Sequence, residues 1–157
     1  LYAKSVEGIE EALVKALDDK FPDYERQLWV DEDVAWECYL ELLYPDRYSL
    51  QEIANSRVLQ ALISEGDDVS KERYVEHWAY FSSKESAEQF LDRVVAEGFK
   101  EEGRTAPLFS EDPYPYKVRV ARRDVPEDIH PVTWLLLDVA EELGGYYDGW
   151  ACGKAEA

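Results

Sequence analysis

Two histidines, His77 and His130, two cysteines, Cys38 and Cys152, and Asp148 are the side chains whose types invite a search for chemistry. General-base work wants a histidine titrating near neutrality with a second polar group in reach. His77 lies in the run Val75-Glu76-His77-Trp78-Ala79-Tyr80-Phe81, where strand alternation puts it on one face with Val75, Ala79 and Phe81. A hydrogen-bonded histidine held between sheet and helix is the favoured reading there. A structural zinc ion needs about four well-spaced ligands, and these cysteines and histidines are scattered. No metal and no other cofactor is expected. Cys38 and Cys152 standing far apart fit a reducing, cytoplasmic compartment. Asp148 has no neighbouring histidine in sequence and no carboxylate partner at helical spacing, so it is not read as catalytic. Phosphate-loop, dinucleotide-fold, nucleophile-elbow and zinc-protease motifs are missing. The expectation is a domain that binds, not an enzyme.

The other face of the same run carries Glu76, Trp78 and Tyr80. A neighbouring strand pattern, Tyr116 to Ala121, points Tyr116, Val118 and Val120 one way and Lys117 and Arg119 the other. Aromatics beside cations on an uncovered sheet make a binding platform. Trp78, Tyr80, Lys117, Arg119, Asp148 and Trp150 form the candidate partner-binding set. Two bland readings stand beside it. N-terminal helices covering this face would turn the aromatics into core. The cluster Lys117, Arg119, Arg122 and Arg123 also suits a sheet edge charged against strand pairing.

The net charge is −18, spread over both halves: 7 basic and 18 acidic residues before residue 73, 10 and 17 from there on. Such a field repels phosphate, so direct nucleic-acid binding is not expected. The glycine-aromatic consensus of RNA-recognition sheets is also absent. A basic protein partner would be attracted and steered. No apolar run reaches membrane-spanning length, and the first residues lack a secretory signal pattern. The chain contains no Met, and the expectation is that residues have been trimmed from its start.

Periodicity predicts a helix over 5–20, capped by Ser5 and ended at Phe21-Pro22. A short strand or linker covers Gln27 to Val30, and Asp33 caps a helix from Val34 to Tyr44. Ser49 and Glu52 form a capping box for a helix that Gly66 stops. The polar link at 70–73 is the expected boundary between an N-terminal helical region, 1–72, and a second domain, 73–157. That domain reads as a strand from Val75 to Phe81, then a helix from Ser82 or Ser83 to about Glu97. A strand from Phe99 to Leu108, a Pro-containing connection and the strand at Tyr116 follow. Pro131 opens a helix with Trp134, Leu135, Val139 and Leu143 as its stripe, and Tyr146 to Ala151 is the last strand. Asp148-Gly149 marks a bulge or kink in it. The order, strand, helix, strand, strand, helix, strand, is that of a ferredoxin-like split βαβ sandwich, within an α+β fold extended by N-terminal helices.

Arg73 to Gly153 resembles the regulator of ribonuclease E activity B family of small acidic bacterial proteins. The resemblance rests on Val75-x-His77-Trp78, Phe81, the Gly98-Phe99 helix stop and the closing Tyr147-Asp148-Gly149-Trp150. It implies a ferredoxin-like sandwich without enzymatic activity that binds the endoribonuclease RNase E and inhibits RNA processing. On this reading the chain is expected to differ from such proteins in lacking their long acidic C-terminal tail and in adding the N-terminal helical region. The expected function is therefore a cytoplasmic regulator that binds a ribonuclease or another RNA-processing factor. A small-molecule or peptide-binding module using the open sheet face is the alternative.

Overall fold

A computed structural model of the chain describes residues 7–25, 27, 33–105 and 112–155. They fall into two units divided after Tyr44. In the first, helix α1 spans Ile9–Lys20, entered from Gly8 at φ 74° and closed by the Phe21 amide donating to the Leu17 carbonyl. The expected cap at Ser5 and residues 28–30 of the expected strand lie outside the described residues. The Asp33 carboxylate accepts from the amides of Glu37, at 2.7 Å, and Cys38, at 3.1 Å, so it satisfies first-turn donors from four residues ahead of the helix and is not itself the N-cap residue. The helix begins later than expected, at Glu37, and widens into a π-helical segment, Tyr39–Leu43, closed by the Tyr44 amide on the Tyr39 carbonyl.

The second unit is α+β. Helix α2, Arg47–Ser64, precedes strand β1, Arg73–Phe81; helix α3, Lys84–Ala96, leads to β2, Lys100–Thr105. Strand β3, Tyr116–Asp124, passes through a 3-10 turn, Pro126–Asp128, into α4, Ile129–Glu142, and β4, Gly145–Cys152, closes the unit. The four strands form one antiparallel sheet in the order β2-β3-β1-β4. The expected domain boundary falls between α2 and β1, inside this unit.

Local chemistry explains most of these elements. β1 alternates buried Val75, His77, Ala79 and Phe81 with the less covered Tyr74, Glu76, Trp78 and Tyr80. Ser83 Oγ accepts from the Ser86 amide at 3.0 Å and starts α3, as expected. Gly98, at φ 88°, ends it: the Phe99 amide returns to the Val94 carbonyl and the Gly98 amide to Val95, a backbone loop that side chains with a Cβ resist. α2 begins earlier than expected. Asp46, set extended after Pro45, takes the cap by accepting from the Ser49 amide at 2.7 Å, so Ser49 lies in the first turn.

Phe81, Phe90, Leu91, Val94, Phe99, Val118, Leu136 and Ala140 form the core between the sheet and α3 with α4. Burying each large apolar side chain contributes about 1.5–3 kcal/mol. The buried residues of α4 are Ile129, Thr133, Leu136, Leu137, Val139 and Ala140; of the expected stripe, Val139 is among them and Leu135 and Leu143 pack against the core partly buried. Trp134 is only half-buried and turns to α2, meeting the Tyr48 ring edge-on at 5.8 Å. Tyr48 in turn donates to Asp138 at 2.8 Å, and Arg47 pairs with Asp138 and Glu141. A stripe read from apolarity alone misses this, because it does not know that α4 has two neighbours.

Candidate functional site

β1 and β3 run side by side, so Trp78 opposes Arg119 and Tyr80 opposes Lys117. All four side chains point away from the helices. The Lys117 ammonium lies 5.3 Å from the Tyr80 ring centre and 5.9 Å from that of Trp78, the cation-over-aromatic arrangement read from the sequence. Arg119 pairs with Glu76 at 3.5 Å and donates to the Glu102 backbone at 3.0 Å. Tyr74 donates to the Glu102 carboxylate at 3.2 Å. β3 lies between β2 and β1, so the basic cluster is not the charged edge considered above. Arg122 leaves it altogether: its guanidinium stacks 4.3 Å over Phe99 and binds Asp124.

On β4, Ala79 opposes Tyr147 and Trp78 opposes Gly149, which leaves Asp148 without an opposite residue. The extra residue is the expected bulge, and it decides where the closing motif points. Strict alternation would send Trp150 to the face opposite Tyr147. The bulge restores both to the helix side, where they are 6% exposed. Trp150 therefore does not join Trp78, Tyr80, Lys117 and Arg119 on the outer face. Asp148 does, exposed beside Tyr146.

Tyr146 and Tyr114 are the residues the motif search missed. The Tyr146 ring stacks on Tyr80 at 5.1 Å and 9°, and Tyr114 meets it edge-on at 5.0 Å. Strand alternation, which sets Tyr146 on the face opposite its neighbour Tyr147, would have found Tyr146. Tyr114 sits in the turn before β3, where no periodicity reaches.

The histidines and cysteines offer no catalytic arrangement. His77 is 1% exposed, its Nδ1 2.9 Å from the Tyr147 hydroxyl and its ring edge-on to Phe99. Burial, with Arg122 nearby, lowers its pKa to about 3, so it is neutral at physiological pH. Burial likewise pushes the Tyr147 hydroxyl well above its ordinary value and raises the Cys152 thiol. His130 Nδ1 accepts from Asn55 Nδ2 at 3.1 Å. Among the described residues, no group of three or more potential ligands is placed to hold a metal ion.

Trp150 serves instead as a structural donor. Its Nε1 donates to Oδ1 of Asn55, in the middle of α2, at 2.9 Å. Gln51 donates to the same oxygen at 2.9 Å, and Asn55 Nδ2 also donates to Thr133 Oγ1 at 2.8 Å. Both donors and both acceptor sites of this fully covered amide are thus used.

The family model described as regulator of ribonuclease activity B matches residues 52–152, well over half of the chain. The chain belongs to that family. No curated protein matches it. The family match begins within α2 and ends on the last residue of β4, so it spans the sheet, its helices and most of the helix that holds Asn55. The ribonuclease-regulator family is a regulatory one, which points to protein binding. In this member the outer sheet face carries the partly exposed rings of Trp78, Tyr80 and Tyr146. Among the described residues, no helix is long and apolar enough to cross a membrane.

Proposed function

We propose that this chain is a cytoplasmic, non-enzymatic regulator that binds an endoribonuclease of the RNase E type and inhibits it. The family match over residues 52–152 carries this reading. The antiparallel order β2-β3-β1-β4, with helices in both crossovers, supports a ferredoxin-like sandwich as the scaffold. The outer face with Trp78, Tyr80, Lys117, Arg119 and Asp148 is the docking surface, and the charge of −18 steers a basic partner to it. The neutral, buried His77 supports a binding role over a catalytic one.

The test is a purified RNase E-type enzyme cleaving a fluorescent RNA while the full chain is titrated in. Inhibition that saturates, together with co-elution of the two proteins at low salt, is the expected result. Unchanged cleavage and no co-elution at any salt concentration would end the proposal.

A further inference from the structure

Lys117 occupies the rings of Trp78 and Tyr80 from within the chain. One aromatic surface on the same face has no such occupant among the described residues. Tyr146 is 39% exposed, with Tyr80 stacked on one face and Tyr114 in perpendicular contact with it. Two carboxylates flank it. Asp148 is exposed two residues along β4, and Asp112 is fixed by accepting from the Tyr114 amide at 2.8 Å through one oxygen. Partial burial, then the negative charge of Asp148 and of Asp112, make the Tyr146 hydroxyl harder to ionise, which places both carboxylates within electrostatic reach of the ring.

A stacked tyrosine with carboxylates at its rim fits one side-chain chemistry better than others. A guanidinium is planar, weakly hydrated, able to lie on an aromatic face and to present a fork of N–H donors to a carboxylate. An ammonium can satisfy either demand but matches the ring face less well. Phosphate and acidic peptides are repelled. The chain's own Lys117 shows that this face takes a cation over a ring.

We propose that Tyr146, supported by Tyr80 and Tyr114 and flanked by Asp148 and Asp112, seats an arginine side chain of the protein partner. That the partner is a ribonuclease rests on the reading above; the chemistry of the seat does not.

The probe is the tripeptide acetyl-Gly-Arg-Gly-amide, titrated into the 15N-labelled full chain at low salt. Its lysine and citrulline counterparts serve as the less planar and the uncharged comparison. Amide shifts should concentrate at Tyr80, Tyr146 and Asp148, with arginine tightest and citrulline at least about fivefold weaker. Asp148→Asn, at an exposed side chain, should weaken arginine binding about threefold or more with an otherwise unchanged amide spectrum. Glu127→Gln removes the same charge from the exposed 3-10 turn and should change it little. Shifts scattered over the acidic surface, equal binding of all three peptides, or equal effects of the two variants would each overturn the seat. A ribonuclease inhibited as well by Tyr146→Ala and Asp148→Asn as by the parent chain would refute the seat and leave the regulator reading intact. Tripeptide binding as described, with no ribonuclease bound, would keep the seat and refute the ribonuclease.

Discussion

The indole N–H of Trp150 reaches Asn55 Oδ1 at 2.9 Å and joins the last strand to the middle of α2. One amide thus ties three elements, because Thr133 and His130 of α4 accept from its other end. Replacing it strands several buried groups at once. Asn55→Ala should cost about 2–4 kcal/mol, since each unsatisfied buried polar group costs about 1–3. Trp150→Phe removes one donor and leaves Gln51 on the oxygen, so about 1 kcal/mol is expected. Urea melts of both variants and the double variant should show a coupling above about 0.5 kcal/mol. Additive effects would mean that the two side chains are energetically independent.

Gly145→Ala should be poorly tolerated. A Cβ there would lie 2.4 Å from the Tyr80 carbonyl and 2.4 Å from the Phe81 ring, and the backbone oxygen cannot yield. A loss of about 1–3 kcal/mol is expected from such overpacking. A thermal melt matching the parent chain would show that β4 can shift to make room.

The buried His77 gives stability a pH dependence of known sign. Its pKa is near 6.5 in an unfolded chain and lowered to about 3 in the fold. Its contribution is complete above pH 6.5 and is lost as the pH falls toward 3, because the unfolded state binds the proton first. The slope should approach about 1 kcal/mol per pH unit below 6. In His77→Phe, melts from pH 7 to pH 4 should lose less stability than the parent does. Parallel curves for the two proteins would mean that His77 takes up its proton in the fold as readily as in the unfolded chain.

If the acidic surface steers the partner, association should slow between low and physiological salt, where charges are screened over about 8 Å. Trp78→Ala should instead speed dissociation, since the half-exposed ring is a contact and not a distant charge. Surface plasmon resonance separates the two rates. A salt-independent association rate would remove steering from the account.

Much of this fold was legible because β1, α3, β3 and β4 each carry one clear period and one stop signal. Trp78, Tyr80, Lys117 and Arg119 could be set on one face by counting in twos, and the structure puts them there. Trp150 could not, since its facing depends on the extra residue at Asp148, and a dipeptide signals a bulge without giving its register. Asn55 was invisible for a related reason. A lone asparagine in a helix looks solvated until the helices that enclose it are in place. Trp134 failed in the opposite sense: apolarity predicts burial, but not which neighbour supplies it. Arg73 was read only as part of a polar link. It proves to be largely buried, paired with Asp67 at 2.6 Å and donating to the Gly153 carbonyl at 3.1 Å.

The two bulges bear on how this protein behaves when concentrated. β2 and β4 are the outer strands of the sheet. Each has its register broken, β2 between Glu101 and Gly103 and β4 around Asp148. A strand from a second molecule would find no straight ladder of free N–H and C=O groups to copy on either side. β2 also presents Lys100, Glu101, Glu102 and Arg104 to any such newcomer. Aggregation by endless strand addition is thereby discouraged at both margins. The partly exposed aromatics of the outer face need not, then, make the protein add to itself strand by strand.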